Sequence, residues 1–305
     1  FTNVTEKDVL SCHDVKSIFM VPQILFEQGL VDLIFKKFAK VGYVNASENW
    51  DEWNRIVNSM ESDGDTINIA MVGKYVTLAD SYVSVNHALK HAGASINRPV
   101  KIDWIDSETL NGNIETLKKY NGILVPGGFG TRGSEGIIET ADFARENNIP
   151  YLGICFGFQL AAVSFARNVC NLTDANSTEI ESETKNPIID LLPEQDDVTN
   201  LGGSLRLGAN KINIKEDSMA YEIYNSNTVS KRHRHRYEFN KEYLESFNKN
   251  GMIFSGESDD GRRMEMLEIP SHKFFLGVQF HPEFNSRPGF PEQSFKAFIT
   301  AAGTN

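Results

Sequence analysis

The sequence has few cysteines, no long apolar run and no excess of positive charge. Its 305 residues include three cysteines at wide spacing, an odd number that does not make a disulfide framework. We therefore expect a reducing compartment, the cytoplasm. A net charge of -11 disfavours general binding to nucleic acid or to a membrane surface. No apolar stretch approaches the roughly 20 residues of a membrane span. We therefore expect neither a nucleic acid nor a membrane as a partner.

Two domains of unequal size are predicted. The chain opens Phe1-Thr2-Asn3 without a methionine or a signal-like segment, and we expect it to be a piece of something longer. Residues 61–65, Glu-Ser-Asp-Gly-Asp, have the composition of a linker. This places an appendage at residues 1–63 and the main domain at residues 64–305. In the appendage we predict a helix that Pro22 initiates and Gly29 breaks, and an amphipathic helix over residues 48–60.

After residue 64, apolar strands alternate with helices. We predict strands at residues 66–73, 100–105, 122–126 and 151–154, and helices at 81–91, 114–120 and 134–147. Gly93 is expected to stop the first of these helices. Repeated βα units with continuous apolar strands predict an α/β fold: a three-layer, doubly wound, mostly parallel sheet with helices on both faces. From about residue 204 shorter strands predict an antiparallel extension, followed by a last helix over 292–302.

Cys155 is the first candidate for chemistry, because it lies where a strand turns into a helix. The surrounding Gly-x-Cys-x-Gly, residues 153–157, leaves room for a tight turn, and a helix N-terminus favours a thiolate at its apex. A buried structural cysteine is the alternative. Cys12 and Cys170 lack this setting, and we expect them to be inert.

His281 and Glu283 form the second candidate group. Pro282 keeps the residue before it extended, and an extended segment lets Glu283 point the same way as His281 and hold its tautomer. A surface histidine beside a surface glutamate is the alternative, which the presence of Cys155 disfavours. The three side chains supply a nucleophile, a base and an orienting group, as acyl transfer through a thioester requires.

A glycine pair, Gly127 and Gly128, follows one predicted strand and precedes a helix. Such a pair frees backbone N–H groups to face a thioester carbonyl oxygen, with the N–H after Cys155 as a second donor. A phosphate loop or a plain turn are the alternatives. The Gly-Lys-Ser/Thr of a phosphate loop is absent, and Gly-Lys-Tyr at residues 73–75 is too weak a match. Because the active groups of such sheets lie beyond the carboxyl ends of the strands, we expect this loop, Cys155 and His281 to meet.

The only basic cluster is Lys-Arg-His-Arg-His-Arg at residues 231–236. Alternation along a strand places Arg232, Arg234 and Arg236 on one face and the two histidines on the other. A solvated edge strand and a nucleic-acid patch are the plain alternatives, and the acidic chain disfavours the second. One arginine could clamp a substrate carboxylate. Two histidines without a nearby cysteine or aspartate make no convincing metal site.

Together these motifs resemble the class I glutamine amidotransferases, whose marks are Gly-x-Cys-x-Gly-x-Gln and a later His-Pro-Glu. Within that family, longer stretches resemble the CTP synthases over essentially the whole chain. Those stretches lie at residues 126–133, 175–179, 201–208, 232–238 and 279–284. The opening residues 13–22 look like the tail of that family's synthetase domain.

The resemblance implies roles for individual residues. Cys155, His281 and Glu283 would be the catalytic triad. Glu179 would meet the ammonium of free glutamine, and Arg236 its carboxylate. The oxyanion hole would be formed by Gly128 and Phe156, and the other residues implied to bind substrate are Gly157, Phe158 and Gln159.

The function implied by the resemblance is that of a glutaminase domain. It would hydrolyse L-glutamine and supply ammonia for the ATP-dependent amination of UTP to CTP in pyrimidine nucleotide biosynthesis. The synthetase domain of the same polypeptide, its partner in the full-length protein, is absent here. ATP, Mg²⁺ and the activator GTP are therefore expected only for the full-length enzyme, and no cofactor or metal for this chain. We expect the piece to be monomeric and the full-length protein to be a homotetramer.

Two other functions compete with this one. The first is a related Cys-His-Glu γ-glutamyl hydrolase or peptidase, which Glu179 and Arg236 disfavour because a peptide substrate lacks one of the free ends they would bind. The second is a non-catalytic regulatory module of the same fold, which the intact triad disfavours.

Overall fold

The computed structural model describes residues 3–38, 47–62, 64–76, 79–110, 112–191 and 205–304. The helices are α1 (Val21–Glu27), α2 (Leu30–Lys37), α3 (Ser47–Glu61), α4 (Val83–Ser95), α5 (Ser134–Glu146), α6 (Phe156–Asn168), α7 (Met219–Tyr224), α8 (Leu244–Lys249) and α9 (Gln293–Ala302). The strands are β1 (Ile67–Gly73), β2 (Val100–Asp106), β3 (Gly122–Val125), β4 (Tyr151–Ile154), β5 (Ala175–Ser177), β6 (Asn186–Asp190), β7 (Arg206–Ile214), β8 (Thr228–His235), β9 (Glu238–Phe239), β10 (Ile253–Ser258), β11 (Met264–Glu268) and β12 (Phe275–Val278). Short 3₁₀ helices occur as well, and one of them, Ile114–Lys119, lies in the segment 114–120 that was predicted to be helical.

The N-terminal segment is helical and packs against α4. Gly29 separates α1 from α2 with a left-handed φ of 84°, so the predicted break is confirmed. The helix predicted over 48–60 is α3. Its Ile56 and Met60 are buried beside Ala94 of α4 and Phe19, and the Trp53 indole donates to the Phe19 carbonyl at 2.9 Å. Residue 63, at the predicted domain boundary, lies outside the described residues, and that boundary stays a prediction.

The main sheet is mixed, with the strand order β2-β1-β3-β4-β12-β11-β10-β7-β8 across the described residues. The strands from β2 to β12 in this order run parallel to their neighbours, and those from β12 to β8 run antiparallel. A small separate sheet has the order β5-β6-β9. The predicted α/β fold and its antiparallel extension are confirmed, and the extension is as large as the parallel part.

Helices cover both faces of the sheet, which makes three layers. On one face α5 and α6 bury Ile137 and Phe158 against β3 and β4. On the other face α4 and α9 bury Leu89 and Phe298 against β1 and β4. The strands between them are buried on both sides, as parallel strands with continuous apolar sequences require.

Gly93 does not stop a helix, contrary to the prediction. Helix α4 continues to Ser95, and Gly93 lies inside its last turns. A Cβ at position 93 would lie 2.5 Å from the carbonyl oxygen of Arg98 and 2.5 Å from Cγ2 of Val100. The glycine therefore lets the chain that enters β2 pass close to the helix, and packing rather than termination explains it.

No single helix among these ranges is long and apolar enough to cross a membrane. One bent pair, Ile18–Glu27 with Leu30–Lys37, meets the same test by length and composition when its two parts are taken together.

A buried ion pair ties β8 to the start of α9. The Lys231 ammonium lies 2.6 Å from Oε1 of Glu292, and both side chains are almost inaccessible, at 7% and 0% exposure. The same carboxylate accepts hydrogen bonds from the Tyr224 hydroxyl at 2.9 Å and from the Ser294 N–H at 2.8 Å. Because every group has a partner, this edge of the sheet is held in a defined position.

We predict that Lys231→Met lowers the free energy of unfolding by about 3–5 kcal/mol, because it leaves the buried Glu292 carboxylate without its cation. Lys211→Met is the matched control, since Lys211 pairs with Asp259 at 2.7 Å but both side chains are more than half exposed. The control should lose at most about 1 kcal/mol. Urea unfolding followed by circular dichroism measures both. Equal losses of unfolding free energy in the two variants would contradict the stabilising role of the buried Lys231–Glu292 pair.

Candidate active site

Three loops meet at one edge of the sheet, as the strand order predicts. They follow β3, β4 and β12, which run parallel and adjacent. A Cβ on Gly127 would lie 2.9 Å from Cε1 of His281 and 3.7 Å from Cβ of Cys155. The glycine loop, the cysteine and the histidine are therefore in direct contact, and the expectation that they meet is confirmed.

Cys155 occupies a strained turn between β4 and α6. Its φ of 52° and ψ of −99° are unusual for a residue with a side chain. Its N–H donates to the Val278 carbonyl of β12 at 2.7 Å, and its side chain is buried at the N-terminus of α6. A Cβ on Gly153 would lie 2.7 Å from the Gly157 carbonyl oxygen, and a Cβ on Gly157 would overlap the Val125 carbonyl oxygen. Both glycines are needed for the turn.

His281 and Glu283 are joined by a short hydrogen bond. Nδ1 of His281 lies 2.8 Å from Oε1 of Glu283. The segment is not extended, as the sequence reasoning assumed, because Pro282–Asn285 forms a turn of 3₁₀ helix. That turn brings the carboxylate back onto the ring. The N–H of His281 donates to the Arg232 carbonyl at 2.8 Å, which ties the segment to β8.

The surroundings of His281 favour its protonated form. Burial by itself lowers the pKa of His281, but hydrogen bonds to Cys155 and Glu283 and the charges of both groups outweigh it and raise the pKa to about 10. An imidazolium between a sulfur and a carboxylate is the arrangement of a thiolate–imidazolium pair. The site is therefore suited to nucleophilic attack by sulfur near neutral pH.

Two buried amide side chains, those of Gln279 and Gln159, lie next to Cys155. Nε2 of Gln279 lies 3.8 Å from the Cys155 sulfur, and its Oε1 accepts a hydrogen bond from Gln159 at 3.2 Å. Gln159 also donates to the Tyr237 carbonyl at 2.9 Å. Gln159 was predicted to bind substrate, whereas no role was predicted for Gln279, although it lies two residues before His281.

A cavity of about 610 Å³ opens beside the cysteine, within the size range of small-molecule sites. Two opposite charges, Glu179 and Arg236, lie on its wall. Oε1 of Glu179 accepts a hydrogen bond from the N–H of Gly130 at 2.9 Å. The described residues that line the cavity are Tyr75, Ser81, Tyr82, Gly127, Gly128, Phe129, Cys155, Gln159, Glu179, Leu205, Arg234, His235, Arg236, Tyr237 and His281.

Of the four predicted pocket residues at 156–159, only Gln159 is on the cavity wall. Phe158 is fully buried in the core and packs edge-on against Phe254. The Phe156 ring is also buried, and Gly157 packs against Val125. These three residues do not line the cavity with side chains, contrary to the prediction, because the two phenylalanine rings are buried in packing contacts and Gly157 has no side chain. The N–H of Phe156 remains available, since the first N–H groups of a helix have no intrahelical acceptor.

The basic segment alternates along β8 as predicted, but Arg236 lies just beyond the end of the strand. Arg232 and Arg234 are exposed, whereas His233 and His235 are buried. Nε2 of His233 lies 2.9 Å from Oε2 of Glu265, within hydrogen-bond distance. No group of three or more metal-ligating side chains occurs in the described ranges. Of residues 201–208, which contribute to the family resemblance, residues 201–204 lie outside the described part.

Lys74 is a site residue whose role the sequence reasoning missed. It is buried, its ammonium donates to the Phe129 carbonyl at 2.9 Å and to the Gly130 carbonyl, and it lies over the Phe156 ring. A signal was present, because Lys74 directly follows β1, whose carboxyl end lies at the same edge of the sheet.

Comparisons with known proteins agree with this geometry. The family model described as glutamine amidotransferase class-I matches residues 77–301. The chain is 48% identical over 305 residues to a CTP synthase of Staphylococcus carnosus and 47% identical over 304 residues to a CTP synthase of Pyrococcus abyssi. Each alignment covers 99% of this chain and 56% of the relative. The chain thus spans little more than half the length of the curated relatives it matches.

A solved structure is similar as well. It is described as the Trypanosoma brucei CTPS glutaminase domain with bound acivicin, and it matches with a TM-score of 0.74 and 38% sequence identity. The match covers 78% of this chain and 94% of the other.

We predict that Glu283→Gln lowers the pKa of His281 from about 10, because it removes the carboxylate charge while keeping a side chain of the same size. Since the pKa of His281 in the folded protein lies above the 6.5 of an ordinary histidine, the stabilisation from its contacts is complete below pH 6.5 and lost as the pH rises through about 10. The variant should lose part of it. Titration of the imidazole by NMR measures the shift, with His272 as an internal control. An unchanged His281 titration would contradict the prediction.

Proposed function

The chain belongs to the class I glutamine amidotransferase family and matches the glutaminase domain of CTP synthases; on this premise we propose that Cys155, His281 and Glu283 hydrolyse the side-chain amide of L-glutamine. The observation that carries the proposal is the strained cysteine at a helix N-terminus, in contact with a histidine that a carboxylate holds. These are the parts of a thioester mechanism.

The proposed reaction has two halves. The Cys155 thiolate attacks the amide carbon, and the developing oxyanion is held by the N–H groups of Gly128 and Phe156. The His281 imidazolium gives its proton to the leaving nitrogen, so ammonia departs and a thioester remains. His281 then takes a proton from water, which attacks the thioester carbonyl, and the C–S bond breaks to release glutamate. Glu283 holds the ring and stabilises its positive charge throughout.

Glutamine recognition is proposed to rest on two charges. Free glutamine is a zwitterion, so its ammonium requires an anion and its carboxylate a cation. Glu179 and Arg236 face the cavity that contains Cys155, and we assign them to the ammonium and the carboxylate. A γ-glutamyl peptidase substrate lacks one of these free ends. The pair therefore favours free glutamine over a peptide.

For the whole protein we propose that the ammonia is passed to a synthetase domain that aminates UTP to CTP with ATP and Mg²⁺, under activation by GTP. The support is the identity of 46–49% with CTP synthases that extend beyond this chain. In the proposed hydrolysis of glutamine, neither ATP, Mg²⁺, UTP nor GTP is a reacting group. We also propose a cytoplasmic location, a monomeric state for this chain alone and a homotetramer for the full-length protein.

We predict that Cys155→Ala abolishes glutamate release from glutamine, with a loss of at least about 10³-fold, because Cys155 is the one cysteine among the described residues that line the cavity. Cys170→Ala is the matched control and should keep its activity, because Cys170 lies away from the cavity and burial raises the pKa of its thiol. An enzyme-coupled glutamate assay measures turnover.

Acivicin, the ligand named for the trypanosomal structure, provides a second measurement. Stoichiometric labelling of Cys155 without turnover would mean that the nucleophile is competent and the rest of the protein must complete the site. Neither labelling nor turnover would favour a non-catalytic module.

A further inference from the structure

One peptide group next to the proposed oxyanion hole is held at both of its polar ends. The carbonyl of Phe129 accepts a hydrogen bond from the Lys74 ammonium at 2.9 Å. The N–H of the same peptide group, which belongs to Gly130, donates to Glu179 at 2.9 Å. Lys74 also binds the next carbonyl, that of Gly130. A cation and an anion thus fix the end of the loop at residues 127–130, which we call the oxyanion loop.

Lys74 also contacts the other side of the proposed oxyanion hole. Its ammonium lies 4.2 Å from the centre of the ring of Phe156, the residue whose N–H is the second proposed donor. The lysine is only 4% exposed, and the carbonyl of its own backbone accepts a hydrogen bond from Arg132. Both the loop after β3 and the start of α6 are therefore in contact with one buried ammonium.

A buried ammonium is costly unless its contacts compensate for lost hydration. The charged groups around Lys74 are Glu179, Glu108 and Arg132, and burial outweighs the two carboxylates and lowers the pKa of Lys74 to about 8. The two carbonyl groups and the aromatic ring are the remaining compensation. The cost of burying the Lys74 ammonium is explained if its contacts orient the oxyanion loop.

The orientation of the oxyanion loop is not set by local sterics. Gly127 and Gly128 have no side chains, so their peptide groups can rotate with little steric penalty. A rotated peptide would present a carbonyl oxygen, rather than an N–H, to the developing negative charge. The carbonyls of Phe129 and Gly130 are instead directed onto Lys74. Holding these two carbonyls, together with the bond from the Gly130 N–H to Glu179, limits rotation of the neighbouring Gly127–Gly128 peptide, whose N–H is the proposed oxyanion donor.

We propose that Lys74 is a positioning residue that holds the oxyanion loop by its carbonyl groups, and that Glu179 links substrate binding to the same peptide. This inference rests on the proposed glutaminase function. Oε1 of Glu179 is used by Gly130, which leaves Oε2 for the substrate ammonium. Ammonium binding and loop orientation therefore share one carboxylate.

The main test compares Lys74→Met with Lys211→Met, a control lysine on β7. In the Lys74 variant we expect kcat for glutamine hydrolysis to fall about 10²-fold with little change in KM, the size of effect seen when one oxyanion donor is lost. The affinity for L-glutamate γ-semialdehyde, whose aldehyde adds the Cys155 thiol to form a tetrahedral thiohemiacetal, should fall in parallel. Alkylation of Cys155 by iodoacetamide forms no oxyanion and should stay within about twofold of the unaltered chain.

A second pair of variants separates the two tasks of Glu179. Glu179→Gln keeps an acceptor for the Gly130 N–H but loses the charge, so we expect a higher KM and a nearly unchanged kcat. Glu179→Ala loses both and should lower kcat as well. Equal kcat values for these two variants would contradict the link between Glu179 and the loop.

The outcomes separate the two proposals. Unchanged semialdehyde affinity in Lys74→Met, or a parallel loss of affinity and of iodoacetamide alkylation, would overturn the positioning role. If the unaltered chain does not hydrolyse glutamine, the proposed function fails for this chain alone, and the semialdehyde affinities still decide the role of Lys74. If the semialdehyde does not bind the unaltered chain, no oxyanion loop is held in place and the inference is wrong.

Discussion

The parallel pairing of β4 with β12 is the contact on which the site depends. Gly153 lies opposite Gly277, and the Cys155 N–H continues this register by donating to Val278 at 2.7 Å. The cysteine and His281 are far apart in the chain, yet each follows the carboxyl end of one of these two neighbouring strands. A slip of one residue in the register would turn the side chains of β12 to the opposite face and move His281 away from Cys155.

Buried polar pairs stabilise the frame around this contact. Lys231 and Glu292 hold β8 against the start of α9, and His233 is held by Glu265 within the sheet. The segment that contains His281 is attached to β8 by the hydrogen bond from the His281 N–H to the Arg232 carbonyl. Burying such a pair costs free energy, and removing one partner strongly destabilises the fold because the other is left buried without a partner. These pairs therefore restrict motion near the carboxyl ends of the strands, where the proposed reaction requires a defined geometry.

Much of the fold and site could be predicted because the signals are local. A strand, two glycines and a helix define the turn at Cys155, and continuous apolar strands with intervening helices indicate a covered parallel sheet. The errors came from groups whose function depends on distant neighbours. Gly93 is explained by the path of Arg98 and Val100, Phe158 by the core beneath α6, and Lys74 by carbonyls more than fifty residues away.

The sequence by itself determined the chemistry available: a cysteine in a tight turn and a histidine with a carboxylate two residues on. The roles of Glu179 and Arg236 were implied only by the family resemblance. Only the tertiary structure decided how these groups are oriented. It shows that a 3₁₀ turn, not an extended segment, brings Glu283 to His281, and that a buried ammonium holds the carbonyls of the glycine loop. The sequence specifies the type of each side chain, whereas the direction of a peptide group depends on hydrogen-bond partners that folding brings together.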